Sequence, residues 1–531
     1  MKSISRAVSF LGAPRGRGAG FSLMSLGNLL AALLTYARQA EIARMFGTTW
    51  ETDAFAVALV LPTLIREVIS NSFGTTFLPI YSDVMCNRGP EAARGLVNRI
   101  LTWIGLAGLA LSVCLVAFSG QLVHAAGPGL SHTASGLSRT MLEIMVPTVL
   151  LSAFSGVLQG LFNYRRKFGV TALLRLAEIV ASLGVVIALP GPLGIMVLPA
   201  SVLAGCLAAF LVLLAGCARL GYRYAPVADT RDRDFRRQLA MAWPIVAGTL
   251  LGLLGPVVNR VLASFLEESS VTALEYSDRI VKIVLSVAFI PLMTLAETTF
   301  SALTASKDQE GFRRELRELL EWCSFGMVPI AVFLTILASP IVCVLFQRGS
   351  FTIEDTMRVG WGLTFYAPWL AQFGFGTIIS RGFYAMKDTM TPVLIGVWGM
   401  VVNILFCFIL ITPLGIGGLA LSNTLSSTAK TILMVMFLRR RAGRLGGGAI
   451  LSDQMRIFVP SGLMALTLIL LSRAMPFDYG APFLSRLMHL SAYGLAGLMA
   501  FLGSAALTKP PALIVVSGKV AGRIGALLRR G

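Results

Sequence analysis

The chain alternates long apolar runs with short polar segments along nearly its whole length. Six runs contain no Asp, Glu, Lys or Arg, and each is long enough to cross a bilayer once, because a helix needs roughly 20 apolar residues to span the hydrocarbon core. These runs are 101–123, 144–164, 238–259, 322–347, 359–380 and 487–508. Each predicts one transmembrane helix.

Two further apolar runs are about twice as long and contain turn-forming residues near the middle. Residues 179–218 include LPGPLG, and residues 389–429 include TPLGIGG. Clusters of proline and glycine interrupt helices, so each run predicts a hairpin of two spans. Four spans that carry a few charges complete the set: 20–44, 52–81, 271–304 and 456–471. The sequence therefore predicts an all-α integral membrane protein with about 14 transmembrane helices.

Composition and charge distribution agree with this prediction. Of the 531 residues, 56% are hydrophobic and 13% are charged, and the mean hydropathy is +0.77, which excludes an ordinary soluble protein. The net charge of +19 would suggest a nucleic-acid partner in a soluble protein. If the N-terminus is cytoplasmic, however, 31 of the 45 basic residues fall in cytoplasmic segments and 6 fall outside. The positive-inside rule thus predicts that both termini are cytoplasmic, and we predict no nucleic-acid partner.

The six basic residues predicted to lie on the outer side form a small set. They are Arg44, Arg139, Arg348, Arg358, Arg473 and Arg486.

Signatures of enzyme chemistry are lacking. The seven cysteines are scattered singly without CxxC spacing, which is typical of small core residues. The sequence contains no GxSxG, HExxH or P-loop motif. We predict a transporter rather than an enzyme, with no cofactor and no metal site. A membrane enzyme is the alternative.

Two halves of the chain resemble each other. Residues 160–174, GLFNYRRKFGVTALL, and residues 381–395, RGFYAMKDTMTPVLI, each place aromatic residues and a basic turn before a new apolar helix. The offset corresponds to six spans, and an even number of helices per unit gives parallel repeats. We predict two six-helix lobes related by a pseudo-two-fold axis, as in alternating-access transporters. The predicted divisions are a cytoplasmic tail at 1–19, lobes at 20–219 and 234–441, spans 13 and 14 within 455–508, and a cytoplasmic tail at 509–531.

Eight basic residues fall inside predicted spans, where a charge costs roughly 2.5–3.5 kcal/mol on insertion scales. They are Arg38, Arg66, Arg175, Arg260, Arg279, Lys282, Arg381 and Lys430. Snorkelling could explain those near span ends, and Arg175 could pair with Glu178. Arg66 and Arg279 lie about 20 Å and about 12 Å along their helices, well below the surface.

Two interpretations of these deep arginines stay open. Arg279 could form a structural pair with Glu275, and Arg66 could pair less directly with Glu67. Alternatively both line a hydrated cavity. For Arg38, near the outer edge, snorkelling and function are both open. Guanidinium groups in a cavity would suit phosphate, so an anionic substrate is expected.

Several stretches in order along the chain carry a resemblance to a known family. They are ARMFGTTWETDAFAVALVLPTLIREV at 43–68, FLPIYSD at 77–83, LASFLEESSVTALEYSDRI at 262–280, VLFQRGSFTIEDT at 344–356 and GFYAMKDTMTPV at 382–393. Together they resemble the MurJ/MviN family of lipid II flippases, within the superfamily of multidrug, oligosaccharidyl-lipid and polysaccharide exporters.

The resemblance implies a V-shaped, two-lobed flippase of the bacterial cytoplasmic membrane whose last two helices form a groove for a polyprenyl tail. Arg38, Arg66 and Arg279 match the family's cavity arginines and would bind the substrate pyrophosphate. Asp53, in the TDAF motif, would take part in outer gating, and we assign Asp278 to gating as well. The expected partners are lipid II or a similar polyprenyl-diphosphate-linked glycan, membrane lipids and cell-wall synthesis proteins, with the flippase itself a monomer. Membrane potential or an ion gradient would drive transport.

Departures from the family pattern keep other functions open. Ala32 stands where the family usually has another arginine, and residues 70–72, SNS, replace an acidic stretch. The chain could therefore carry another polyprenyl-diphosphate oligosaccharide, export drugs with a coupling cation, or act as a non-transporting scaffold. Asn403, Thr424 and Thr428 could coordinate an ion, but no carboxylate accompanies them, so we predict no metal ion.

Overall fold

The structure is a computed structural model that describes residues 18–165, 168–222, 224–289, 300, 309–386, 388–442, 447–511 and 513. Helix dominates these residues, and none of them lies in a strand. The prediction of an all-α protein is therefore confirmed. The chain divides into two compact units, residues 1–272 and 273–531.

The first unit consists of nine main helices in its described part. They are α1 (Gly18–Phe46), α2 (Trp50–Ala58), α3 (Val60–Ala117), α4 (Ser119–Ala126), α5 (His132–Met145), α6 (Pro147–Tyr164), α7 (Phe168–Ala188), α8 (Val197–Arg219) and α9 (Arg233–Ala263). Helix α10 (Ser270–Ala288) begins at the end of this unit and continues into the second. A break at Gly89, with a φ of 83°, divides α3 into two segments just before Pro90.

The second unit contains eight more helices among the described residues. They are α11 (Gln309–Ile336), α12 (Ala338–Phe346), α13 (Ile353–Tyr366), α14 (Trp369–Ala385), α15 (Met390–Leu414), α16 (Ile416–Ala442), α17 (Gly447–Ala474) and α18 (Phe483–Thr508).

Both predicted hairpins are present. Helices α7 and α8 are separated by a short turn in which Gly194 has a φ of 52°. Helices α15 and α16 are separated by Gly415, with a φ of 54°. Gly418, just after this reversal, has no room for a side chain, because a Cβ there would lie 2.0 Å from the carbonyl oxygen of Leu410. The glycines therefore reverse the chain where the sequence predicted.

Eight helices in the described part of the chain are long and apolar enough to cross a membrane, judged by length and composition. They are Thr76–Ala117, His132–Tyr164, Pro190–Arg219, Arg233–Ala263, Glu310–Ile336, Met390–Leu414, Gly448–Ala474 and Phe483–Thr508. A described helix also overlaps each of the other predicted spans, although most of 290–304 lies outside the described residues. The protein is thus a multi-pass membrane protein, and the total of about 14 spans stays a prediction.

The core of the first unit forms where α3 packs against α6 and α9. The ring of Tyr81 stacks 5.3 Å from Phe77 and meets Tyr164 edge-on at 4.9 Å, both measured between ring centroids. A Cβ at Gly160 would lie 2.4 Å from the Phe77 ring. Glycine thus lets α6 approach α3 closely enough to enclose this aromatic cluster.

Hydrogen bonds and an ion pair hold the segment between α8 and α9 against α3. The Tyr222 hydroxyl donates to Asn98 Oδ1 at 2.5 Å, and the Val227 N–H donates to Thr102 Oγ1 at 3.1 Å. An ion pair joins Arg99 and Asp232 at 3.2 Å. Helix α9 therefore belongs to the first compact unit, whereas the predicted second lobe begins at residue 234. The two units follow packing and the lobes follow sequence similarity, so the repeat stays a prediction.

In the second unit, aromatic packing fixes the first turns of α10. The Tyr276 ring meets Phe346 and Phe351 edge-on, with centroids 5.0 Å and 5.8 Å away. Elsewhere in this unit, Arg317 on α11 pairs with the buried carboxylate of Asp453 on α17. This contact anchors the α17–α18 hairpin, because α17 packs on both α11 and α18.

Candidate functional site

Two of the predicted cavity arginines reach the same helix in the first unit. Arg66 on α3 forms an ion pair with Glu178 on α7, with 2.6 Å between Nη1 and Oε1. Arg38 on α1 donates from Nη1 to the Ser182 hydroxyl of α7 at 2.7 Å. Glu178 and Ser182 lie one turn apart and share a face of α7. Arg38 and Arg66 therefore contact adjacent turns of the same helix, and their role in a cavity stays a prediction.

The Arg66–Glu178 ion pair is more exposed than an ordinary buried ion pair. The side chains of Arg66 and Glu178 are 49% and 33% exposed in the protein. Behind them α8 lies against α7, since a Cβ at Gly205 would be 2.7 Å from the Glu178 carbonyl oxygen. One side of α7 is thus closed by protein, while the side that carries the charges is partly exposed.

The pairing of Arg66 differs in one respect from the sequence interpretation. Pairing was one of two alternatives, but the acid is Glu178 rather than the neighbouring Glu67. Glu178 had been considered only as a partner for Arg175, three residues before it. The missed signal was an acid at the start of an otherwise apolar run, which in a membrane span usually has a cationic partner on another helix.

Asp53, predicted to take part in gating, is buried at the N-terminus of α10 and is 4% exposed. Its Oδ2 accepts the N–H of Ser269 at 2.7 Å, and its Oδ1 accepts the N–H of Thr272 at 2.8 Å. Helix N-termini carry unsatisfied N–H groups and a partial positive charge, so a carboxylate is favoured there. Asp53 therefore caps α10 from a separate helix, α2.

Ser269 completes this connection. It has a φ of 75°, in the left-handed region, and its hydroxyl donates to the carbonyl oxygen of Thr48 at 2.7 Å. Such a conformation is costly for serine and persists only where surrounding contacts hold it. The contacts of Thr48 and Asp53 with residues 269–272 therefore act together on the segment that starts α10.

A second close contact lies near the C-terminal end of α9. The Gly129 N–H donates to the Ser264 hydroxyl at 3.1 Å, and a Cβ at Gly129 would lie 2.0 Å from the Ser264 carbonyl oxygen. Only glycine allows the backbones to approach this closely. Sequence analysis did not single out Gly129, because this close approach depends on a residue 135 positions further along the chain.

Replacing Gly129 with alanine is therefore expected to separate the loop before α5 from the end of α9. We expect a fall of several degrees in the thermal unfolding midpoint of the purified protein, since backbone on both sides must move. Gly136→Ala is the matched control, because nothing lies within 4 Å of a Cβ there and the residue is helical. Equal midpoints for the two variants would contradict the prediction.

Asp278 and Arg279 lie on α10 in the second unit. Asp278 accepts a hydrogen bond from the Tyr366 hydroxyl at 2.6 Å and pairs with Lys282 at 2.6 Å between Oδ2 and Nζ. Arg279 is half-buried, four residues after Glu275. The predicted gating acid is thus held by a tyrosine and a lysine, and Arg279 is placed on the next residue of the same helix.

The residues considered for ion coordination lie within the α15–α16 hairpin. The Asn403 amide nitrogen lies 3.2 Å from Ser422 Oγ, 3.3 Å from Asn423 Oδ1 and 3.4 Å from Ser426 Oγ. The Thr424 hydroxyl donates to the carbonyl oxygen of Phe365. Within the described ranges, no group of three or more His, Cys, Asp or Glu residues could hold a metal ion.

Comparison with solved structures defines the class of protein. A lipid II flippase MurJ in an inward closed conformation matches with a TM-score of 0.77 at 21% identity, covering 91% of this chain and 98% of that chain. An inward-facing multidrug resistance MATE family transporter of the MOP superfamily matches with a TM-score of 0.66 at 16% identity, covering 80% and 99%. The chain therefore has the fold of these multi-pass transporters.

Sequence comparison identifies the family. The family model described as lipid II flippase MurJ matches residues 42–489, so the chain belongs to the MurJ family. A lipid II flippase MurJ from Burkholderia cenocepacia is 28% identical over 428 residues, which cover 78% of this chain and 82% of that protein. A probable lipid II flippase MurJ from Buchnera aphidicola subsp. Acyrthosiphon pisum is 26% identical, covering 79% and 83%. The prediction of a transporter rather than an enzyme is confirmed.

Proposed function

We propose that this protein translocates lipid II, the lipid-linked peptidoglycan precursor, from the cytoplasmic to the outer leaflet by alternating access. Membership of the MurJ family supports the substrate class. The observation that carries the proposal is that Arg38, on α1, and Arg66, on α3, both contact one face of α7. Two guanidinium groups that contact adjacent turns of one helix suit a diphosphate, whose oxygens accept several charge-assisted hydrogen bonds.

The Arg66–Glu178 ion pair fits a reversible role in binding. Burying an ion pair completely is expensive, whereas the side chains of Arg66 and Glu178 stay partly exposed in the protein. A phosphate can then compete with Glu178 for Arg66 at modest cost, because water can solvate the released carboxylate. Arg38, Arg66 and Arg279 are the proposed substrate-binding residues.

Asp53 and Asp278 are the proposed gating residues. Asp53 holds the start of α10 through two backbone hydrogen bonds, so any movement of α10 away from α2 must break both. Asp278 lies further along the same helix and is bound to Tyr366 on α13. Because the contacts of Asp53 and Asp278 both act on α10, a movement of this helix on substrate binding would alter both contacts, and their loss or formation would in turn affect binding.

The setting of the flippase follows from the distribution of basic residues. We place both termini in the cytoplasm and the protein in the bacterial cytoplasmic membrane, because the predicted inside segments hold most of the Lys and Arg residues. The hairpin of α17 and α18 is the proposed groove for the polyprenyl tail. The protein is proposed to act as a monomer, supplying lipid II to cell-wall synthesis proteins.

Rescue of bacteria depleted of their own lipid II flippase tests the proposal. The expected result is restored growth, together with translocation of lipid II in proteoliposomes that contain the purified protein. Ala32, which stands where the family usually has an arginine, favours a second candidate, a flippase for another polyprenyl-diphosphate oligosaccharide. Good expression without rescue, with translocation of such a glycan instead, would contradict the lipid II assignment. Translocation of neither would indicate a scaffold.

A further inference from the structure

Three of the six predicted outer arginines have an acid on their own helix. Arg44 pairs with Glu41 at 2.5 Å, and Arg139 pairs with Glu143 at 2.9 Å. Arg358 pairs with Glu354 at 3.1 Å. Each pair is three or four residues apart, which is the local spacing that neutralises a helical charge. These three arginines therefore need no ligand to explain them.

The other three outer arginines lack such a partner. Among the described residues, no Asp or Glu oxygen lies within the 4.0 Å ion-pair distance of Arg348, Arg473 or Arg486. All three belong to the second unit. In a chain whose outer side carries few basic residues, unneutralised arginines in one unit indicate a local need for positive charge.

Arg348 and Arg486 lie around the start of α18. The guanidinium carbon of Arg348 is 5.2 Å from the centroid of the Phe483 ring, at the first residue of α18. Arg486 follows one turn later and donates from Nη1 to the sulfur of Cys343 at 3.2 Å. Cys343 lies on α12, which packs against α18 and ends shortly before Arg348. The two guanidinium groups therefore flank one helix terminus.

Donors in this region exceed the acceptors that the protein supplies. The Nε of Arg486 is buried without a hydrogen-bond partner, and each unsatisfied buried donor costs roughly 1–3 kcal/mol. The α18 N-cap is Pro482, and no side chain caps the helix there. Arg348 Nη2 reaches the carbonyl oxygens of Val344 and Leu345 only at 3.3 Å. An external acceptor would reach the exposed Arg348 guanidinium and the uncapped start of α18, but not the buried Nε of Arg486.

The acid in the neighbouring loop does not meet this need. Asp478 Oδ1 accepts the N–H of Gly480 at 2.8 Å, and the carboxylate forms no ion pair with a described arginine or lysine. Beside the arginines, Phe483 and Leu484 are 45% and 65% exposed. Exposed apolar side chains next to cationic groups at the end of a predicted span are typical of the interface between lipid tails and headgroups.

We propose that Arg348 and Arg486, with the first turn of α18, bind the phosphate group of a membrane lipid at the outer surface. Two guanidinium forks and a free helix N-terminus match the several oxygens of a phosphate or diphosphate. An apolar tail would lie along Phe483 and Leu484. A translocated polyprenyl diphosphate and a bulk anionic phospholipid share this chemistry. The assignment to the outer surface rests on the proposed orientation.

Native mass spectrometry of the full-length protein in detergent, titrated with lipids, tests the site. The probes are a polyprenyl diphosphate, phosphatidylglycerol and, as a lipid without phosphate, diacylglycerol. In the variant with Arg348→Gln and Arg486→Gln, we expect affinity for a phosphate lipid to fall at least about tenfold. The matched control combines Arg139→Gln and Arg358→Gln, which removes the same charge from acid-paired arginines. There we expect affinity within about twofold of the unchanged protein.

The outcomes separate the sources of the lipid. Weaker binding of the polyprenyl diphosphate alone would assign the site to the translocated lipid. Weaker binding of phosphatidylglycerol, alone or as well, would assign it to anionic lipids generally. No loss, or an equal loss in the control, would overturn the proposal. If the glutamine variant does not fold, Arg348→Lys with Arg486→Lys keeps the charge but loses the fork, and about threefold weaker binding is expected. Because the readout is binding, failure here leaves the rescue test of the proposed function unaffected.

Discussion

Replacing Arg66 with alanine is expected to abolish the rescue of flippase-depleted cells. The substitution removes a guanidinium that is half-exposed on the first unit and pairs with Glu178. A hydrogen bond to a charged group contributes roughly 1.5–3 kcal/mol, so substrate affinity should fall about tenfold to hundredfold. Growth of depleted cells and lipid II translocation in proteoliposomes would both measure the loss.

A simpler explanation of the same result is that Arg66 only neutralises Glu178. The two explanations differ in the double variant Arg66→Ala with Glu178→Ala, in which both charges are gone. If Arg66 binds the substrate, the double variant should stay inactive, whereas Glu178→Gln alone should still rescue. Restoration of growth by the double variant would show that pairing is the whole role of Arg66.

The sequence predicted the features of this site that depend on local chemistry. The chain reversals at Gly194 and Gly415 followed from turn composition, whereas the depth of Arg66 in the membrane stays a prediction. Its partner could not be predicted in the same way. Glu178 lies on another helix, 112 residues along the chain, and the spacing rule for a single helix pointed instead to Arg175.

Contacts between residues far apart in the sequence also decide the cap of α10 and the boundary between the two compact units. Asp53 was assigned to gating through a family motif, but its hydrogen bonds to residues 269 and 272 depend on how distant helices pack. Helix α9 follows the break between the predicted lobes, yet Asn98 and Thr102 on α3 bind the segment before it. The predicted repeat rests on similarity between segments of the sequence, whereas the compact units reflect which residues pack together.

Replacing Asp53 with alanine should have the second largest effect. Two N–H groups, those of Ser269 and Thr272, would lose their acceptor in a buried position. Each such loss costs roughly 1–3 kcal/mol, and the positive end of α10 would also lose its carboxylate. We expect loss of rescue and a clearly lower unfolding midpoint, with Asp53→Asn intermediate because its single amide oxygen can accept only part of what the carboxylate accepts.

Asp355 is a suitable control because it also serves the start of a helix. Its carboxylate accepts the N–H of Thr352 within the capping box of α13, so the donor and the acceptor of this hydrogen bond belong to the same turn. Asp355→Ala should therefore cost only about 1 kcal/mol and leave rescue intact. Asp53 differs in joining α2 to a segment more than 200 residues away, so its removal frees one helix from another. If Asp53→Ala and Asp355→Ala lower the midpoint equally and both rescue growth, Asp53 is an ordinary cap and has no part in gating.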